Sequence, residues 1–210
     1  MTAQVQEPLN IGVLISGSGS NLQSLIDHIE EGTLSAKISL VVSSRPDAFG
    51  IERAKKAGIP VLVMNREAYA DTSAANQRIA DALKEAGAEY VVMAGYMRMV
   101  TAEILGAFPD RVVNLHPALL PSFKGAHAIE DAYNFGVKVT GVTVHFANAD
   151  YDKGPIIAQQ PVEVREGEPI EALEERIHSV EHELYPHVIQ LLAEGRVGVC
   201  PETRKVHISS

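Results

Sequence analysis

Short apolar runs alternate with helical stretches through the first half of this chain, and that alternation narrows the fold more than any other feature. Residues 10–15 (NIGVLI) are almost wholly apolar and run into Ser16-Gly17-Ser18-Gly19-Ser20. Leu22, Leu25, Ile26 and Ile29 follow at the i, i+3, i+4, i+7 spacing of one helix face. Residues 38–43 (ISLVVS) read as a second strand, and an Ala/Lys-rich helix after Asp47 stops at Gly58. Residues 61–64 form a third strand, and a helix over residues 73–86 stops at Gly87. Residues 90–94 (YVVMA) and 111–115 (RVVNL) supply a fourth and a fifth strand. Strands apolar on both sides need cover on both sides. The pattern therefore predicts an α/β fold, a doubly wound, mostly parallel sheet with helices on both faces. Residues 139–146 (VTGVTVHF) and 156–164 are joined by a turn at 150–155, which predicts an antiparallel C-terminal extension at one sheet edge. A last helix over residues 169–194 opens on Pro169 and carries Ile170, Leu173, Ile177, Leu184 and Ile189 as its stripe. Nothing resembling a linker interrupts this order. One domain over residues 9–197 is expected, with flexible or extended termini at 1–8 and 198–210.

Composition removes several function classes. Of 210 residues, 46% are hydrophobic and 21% charged, which is enough to bury a core. Eighteen Lys and Arg face 27 Asp and Glu, a net charge of −9. That argues against sequence-independent nucleic-acid binding and still permits a local site for a small anion. No apolar run approaches the ~18 residues of a membrane span, and the start has no basic segment of a signal peptide, so a cytoplasmic protein is expected. The single cysteine, Cys200, allows no intrachain disulfide and no Cys-rich zinc site.

Three segments carry residue types suited to chemistry. Ser16-Gly17-Ser18-Gly19-Ser20-Asn21 lies between a strand and a helix, where unpaired N–H groups and the helix dipole favour a phosphate. It lacks the third glycine of a dinucleotide fingerprint and the lysine of a P-loop, so a single phosphate monoester fits better than NAD or a triphosphate. The plainer alternative is a tight turn capped by Ser20 or Asn21. In Asn114-Leu115-His116-Pro117, Asn114 and His116 share one strand face. An amide donor and an imidazole converging at the carboxyl end of a strand suit acyl transfer. In Asp150-Tyr151-Asp152-Lys153-Gly154-Pro155, an aspartate can either support its own turn or, brought beside His116, favour the imidazolium and fix its tautomer. His145 is expected to support this site and His127 to line the same cleft. The histidine spacings match no metal motif, and no metal is expected.

Taken together, Asn114-Leu115-His116-Pro117-Ala118-Leu119-Leu120-Pro121 and Asp152-Lys153-Gly154-Pro155 resemble the signature of the folate-dependent formyltransferases. Within that family, Ser16-Gly17-Ser18-Gly19-Ser20-Asn21-Leu22-Gln23, Ala94-Gly95-Tyr96-Met97-Arg98 and Glu181-His182-Glu183-Leu184-Tyr185-Pro186 resemble the branch serving purine biosynthesis. The resemblance implies transfer of a formyl group from 10-formyltetrahydrofolate, as donor co-substrate, to the amine of glycinamide ribonucleotide. It implies Asn114, His116 and Asp152 as catalytic residues. It places Gly19, Ser20 and Asn21 on the phosphate and Glu181 on the ribose. It places Arg98, Met99, Val100 and Asn114 on the folate, with Met93, Tyr96 and Leu105 as apolar wall. The chain departs from the family pattern at residues 71–73, where an arginine for the folate tail is absent and Arg66 precedes, and at Ile129, where a second histidine is common.

Formyltetrahydrofolate deformylase and methionyl-tRNA formyltransferase share the motifs and carry added domains. About eight residues precede the first strand and about 15 follow the last helix, so neither is expected. A non-catalytic binder of a phosphate ligand is the rival from another class, and would not need all three of Asn114, His116 and Asp152. Small-molecule partners, no nucleic acid and no membrane are expected, and a homodimer is compatible with the sequence.

Overall fold

Strand β1 (Leu9–Ile15) lies near the middle of a seven-stranded sheet ordered β3-β2-β1-β4-β5-β6-β7. The computed structural model describes residues 7–209, so the expectation for residues 1–6 lies outside the described residues. The other strands are β2 (Ala36–Ser43), β3 (Val61–Val63), β4 (Tyr90–Met93), β5 (Val112–His116), β6 (Val139–Phe146) and β7 (Ile156–Glu163). β1 to β5 run parallel; β6 and β7 are added antiparallel, as the change in the sequence pattern predicts.

Alternate residues of β1 feed two separate cores. Ile11, Val13 and Ile15 pack with Leu22, Leu25 and Ile26 of α1 (Ser20–Glu30) and with Tyr185, Val188 and Ile189 of α6 (Ile170–Ala193). Leu14 faces the other way, against Ala75, Ile79 and Leu83 of α3 (Thr72–Glu85). Gly12 lets α3 approach, because a Cβ there would lie 2.1 Å from Leu83 Cδ2. A third cluster of Val142, Val162, Leu173 and Ile177 seats the start of α6 on the antiparallel extension. Helix α2 (Gly50–Lys56) follows β2.

Two short helices escape the sequence reading: α4 (Ala102–Ala107) and α5 (Ala128–Phe135). α4 is six residues with one buried side chain, Ile104, too short to show a 3.6-residue period. Beyond α6, β8 (Val197–Val199) and β9 (Val206–Ile208) pair antiparallel as a separate two-stranded ribbon. Among the described residues, no helix is long and apolar enough to cross a membrane.

Candidate functional site

The strand order reverses direction between β1 and β4, and open α/β sheets bind ligands in the crevice that such a reversal leaves at the strand carboxyl ends. A cavity of about 640 Å³ lies there. Its walls include the loop after β1, the loop after β4, the end of β5, the 147–153 segment and one face of α6. Ser16 joins the first two walls: its Oγ accepts the Met97 N–H (2.8 Å) and shares a hydrogen bond with Ser44 Oγ (2.6 Å).

The loop after β1 ends in Gly19, which occupies the left-handed region (φ 70°, ψ 29°) as the cap of α1 and makes no side-chain capping bond. The capping alternative for Ser20 or Asn21 is therefore not realised. With no side chain claiming them as a cap, the first N–H groups of α1 remain available to an anion. Asn21 instead donates from Nδ2 to Glu181 Oε2 (3.0 Å), while its Oδ1 is buried without a partner. Glu181 is presented by a particular device in α6. Pro186 has no N–H to give the His182 carbonyl four residues earlier, and Ser24 Oγ of α1 donates to that carbonyl at 2.7 Å. The two helices are thereby fixed with Asn21 facing Glu181. Burial pushes the Glu181 carboxyl above its ordinary range, with the Asn21 hydrogen bond and His178 opposing the shift.

At the end of β5, antiparallel pairing sets Asn114 opposite His145 and His116 opposite Thr143. His145 Nδ1 lies 2.9 Å from the Phe146 carbonyl, which can only accept, so Nδ1 carries the proton. Burial lowers the His145 pKa, and the neutral ring then accepts at Nε2 from Asn114 Nδ2 (3.1 Å). One amide N–H of Asn114 is spent on orientation, and the other projects from an amide whose plane is fixed.

His116 is also read through a carbonyl. Its Nε2–H donates to Phe123 O (2.8 Å), which leaves Nδ1 as the nitrogen facing Asp152 Oδ2 at 3.7 Å. That separation is beyond a direct hydrogen bond and suits a bridging water or substrate atom. Asp152 is buried, stands 3.8 Å from His145 Nε2 through Oδ1, and accepts the Gly125 N–H through Oδ2 (2.9 Å). Asp152 (φ 51°) and Phe123 (φ 50°) both hold left-handed backbone, a strain of about 1 kcal/mol or more that surrounding structure must sustain. Thr143 Oγ1 donates to Ala118 O (2.6 Å) and accepts the Leu120 N–H (3.1 Å), which pins the loop after His116.

Arg98, Met99 and Val100 line the cavity with Met93 and Tyr96. Met97 and Met99 are 63% and 61% exposed, an apolar rim suited to a flat ligand. The Arg98 guanidinium lies 4.7 Å from the Tyr69 ring centroid, and Tyr69 and Tyr96 share a hydrogen bond between their hydroxyls (2.8 Å).

Two expected wall residues are elsewhere. His127 caps α5 with its side chain in solvent, 3.4 Å from Glu130, and does not line the cavity. Leu105, on the short helix α4, turns to the α3 side and packs against that core. Ile129 packs partly buried against the third cluster. His178 lines the cavity one turn before Glu181 and was not singled out in the sequence; the i, i+3 spacing from Glu181 was the available signal. Among the described residues, no group of three or more His, Cys, Asp or Glu side chains is arranged to hold a metal.

Residues 9–189 match the formyl transferase family. The phosphoribosylglycinamide formyltransferase of Bacillus subtilis is 39% identical over 180 residues, covering 86% of this chain and 92% of that protein. The trifunctional purine biosynthetic protein adenosine-3 of Bos taurus is 42% identical over 187 residues, 89% of this chain, which spans only 18% of that longer protein. Among solved structures, glycinamide ribonucleotide transformylase 1 from Symbiobacterium toebii superposes with a TM-score of 0.94 at 45% identity, covering 100% of this chain and 98% of that one.

Proposed function

This chain belongs to the formyl transferase family, and from that premise we propose that it transfers a formyl group from 10-formyltetrahydrofolate to the primary amine of glycinamide ribonucleotide in purine biosynthesis. One observation carries the reading: a single cavity is lined at once by the Gly-Ser loop with Glu181, by residues 97–100, and by Asn114, His116 and Asp152. Two small molecules have separate walls there and a shared reacting centre.

The amine nitrogen attacks the formyl carbon, forming a C–N bond and placing negative charge on the formyl oxygen. The second Asn114 N–H and the His116 imidazolium stabilise that oxyanion. Collapse breaks the bond to N10 of the folate. The proton lost by the amine ends on N10, relayed by Asp152 and bound water. The products are the formylated ribonucleotide and tetrahydrofolate, with no covalent enzyme intermediate. Holding both reactants aligned can contribute up to about 7–11 kcal/mol toward the barrier. This amide, imidazole and carboxylate set closes the proton inventory without a metal.

Gly19, Ser20 and Asn21 meet the phosphate through backbone N–H groups. Glu181 accepts from the two ribose hydroxyls, as a carboxylate does readily. Arg98, Met99 and Val100 hold the pterin through their main chain, with Met93 and Tyr96 as wall. Arg66 and Arg98 also border an adjoining hollow with Glu67, Tyr69 and Ala70, whose two guanidinium groups against one carboxylate leave net positive charge for the carboxylates of the folate tail despite the missing arginine at residues 71–73. A cytoplasmic location suits these substrates and a chain with one thiol.

The test is formyl transfer by the purified protein with glycinamide ribonucleotide and formyl-folate. Label from the formyl group is expected on the ribonucleotide, with negligible release when the acceptor is omitted. Formyl loss at an equal rate without acceptor would overturn the transferase reading in favour of hydrolysis.

A further inference from the structure

Helix α2 has no part in the chemistry above, yet it holds the Gly-Ser loop from behind. The Gly50 N–H donates to the Gly17 carbonyl (3.1 Å), and Arg53 Nε–H donates to the Ser18 carbonyl (2.9 Å). Two successive loop carbonyls are thus drawn toward α2. A peptide unit is planar and trans, so its N–H points away from its C=O. The N–H groups of Ser18 and Gly19 are therefore turned away from α2, and both residues line the cavity. Successive N–H groups turned to one side beside a left-handed residue make an anion-binding concavity.

The contact with α2 has little tolerance. A Cβ on Gly19 would lie 2.6 Å from Gly50 Cα, and one on Gly50 would lie 2.6 Å from Ile15 Cδ1 and 3.2 Å from Gly19 Cα. Arg53 also donates from Nη1 to Gln23 Oε1 (3.1 Å) in the first turn of α1, and its guanidinium sits 5.0 Å from the Phe49 ring centroid. The guanidinium therefore fixes the loop relative to the helix start, while Arg53 itself does not line the cavity.

We propose that Gly50 and Arg53 are positioning residues for a phosphate monoester: from outside the site, they set the direction of the Ser18 and Gly19 N–H groups. The proposal rests on the reading of residues 19–21 as the phosphate loop. Arg53→Ala, Arg53→Lys and Gly50→Ala test it, with transfer kinetics, calorimetric titration of ribose 5-phosphate and thermal melts on each. Arg53→Lys keeps the stem and charge and loses the two-pronged donor, so it also stands in should Arg53→Ala fold poorly.

In all three variants, KM for the ribonucleotide and Kd for ribose 5-phosphate are expected to rise about tenfold, because the Arg53 variants lose or weaken a charge-assisted hydrogen bond to the loop and the Gly50→Ala Cβ pushes the loop off α2. The kcat and the KM for formyl-folate are expected to stay within about twofold, the pattern of lost ground-state binding. Wild-type affinity in Arg53→Lys would assign the effect to bulk charge. An equal rise in both KM values would reduce the contact to general support of the fold. Either result overturns the proposal. Wild-type protein that binds ribose 5-phosphate without transferring formyl would count against the function alone, whereas no binding by wild type would overturn the clamp as well.

Discussion

Asp152 keeps a left-handed backbone, a buried carboxylate and a hydrogen bond from Gly125 at once, and asparagine can reproduce the first and last of these. Asp152→Asn is therefore expected to fold with a near wild-type melting temperature and to lose kcat by about 10²–10⁴, the range of a missing acid–base group. Steady-state turnover checks this, and wild-type turnover would remove Asp152 from the proton relay. Glu181 has the opposite character. Burial raises its folded pKa above the ordinary 4.5, so its contribution to stability is fully present below that value and is lost as pH rises through the folded one. Once ionised, the carboxylate has the Asn21 amide on one oxygen and room for a ligand's hydroxyls on the other. Glu181→Gln should raise the melting temperature by a few degrees at a pH above the folded titration, as ~1 kcal/mol does in a chain of this size, and leave it unchanged near pH 4. The same variant should bind the ribonucleotide more weakly. Melts and titrations at the two pH values decide it. At this scale, Asn114 and His116 were legible because an i, i+2 pair on a strand shares a face. His127 was misplaced because loop proximity in sequence does not say which way a side chain points.

The turn at residues 150–155 delivers Asp152 only because it can cross the end of β6. A Cβ on Gly154 would lie 1.7 Å from the Phe146 carbonyl oxygen and 3.4 Å from His145 Nδ1. Gly154→Ala must lift the turn off the strand, which withdraws Asp152 from His116 and disturbs the His145 proton. It is expected to lower both the melting temperature, by about 2–4 °C or more, and kcat. Calorimetry and kinetics on the one variant test this, and loss of stability alone would show that the turn can shift without moving the carboxylate. The strands and long helices were readable from their periods, to within two residues at each end. The short helices α4 and α5 carry too few apolar repeats to register, and tertiary contacts rather than propensity hold them.

Alternating strand and helix indicate a parallel sheet but not the order of its strands, and order is what builds the site. Placing β4 beside β1 opens the crevice, and the antiparallel register of β6 on β5 sets His145 across from Asn114, 31 residues away in sequence. Neither follows from local pattern, because both are settled by which apolar faces close on which. Tyr185 shows how the assembled molecule keeps these parts aligned. It is fully buried on α6, one turn beyond Glu181, and its hydroxyl lies 3.0 Å from both the Met93 carbonyl at the end of β4 and the Val113 carbonyl beside Asn114. A single O–H thereby ties the helix that carries Glu181 to β4, which leads into residues 97–100, and to β5, which carries Asn114 and His116. Tyr185→Phe keeps the ring in its core and deletes only that donor. The expected cost is about 1–3 kcal/mol for leaving buried acceptors without it, or roughly 2–4 °C of melting temperature per kcal/mol. Because α6 would lose this tie to the sheet, KM for the ribonucleotide should rise while kcat changes less. Thermal melts and KM measurements on this variant test both halves, and unchanged values would mean that apolar packing alone seats α6.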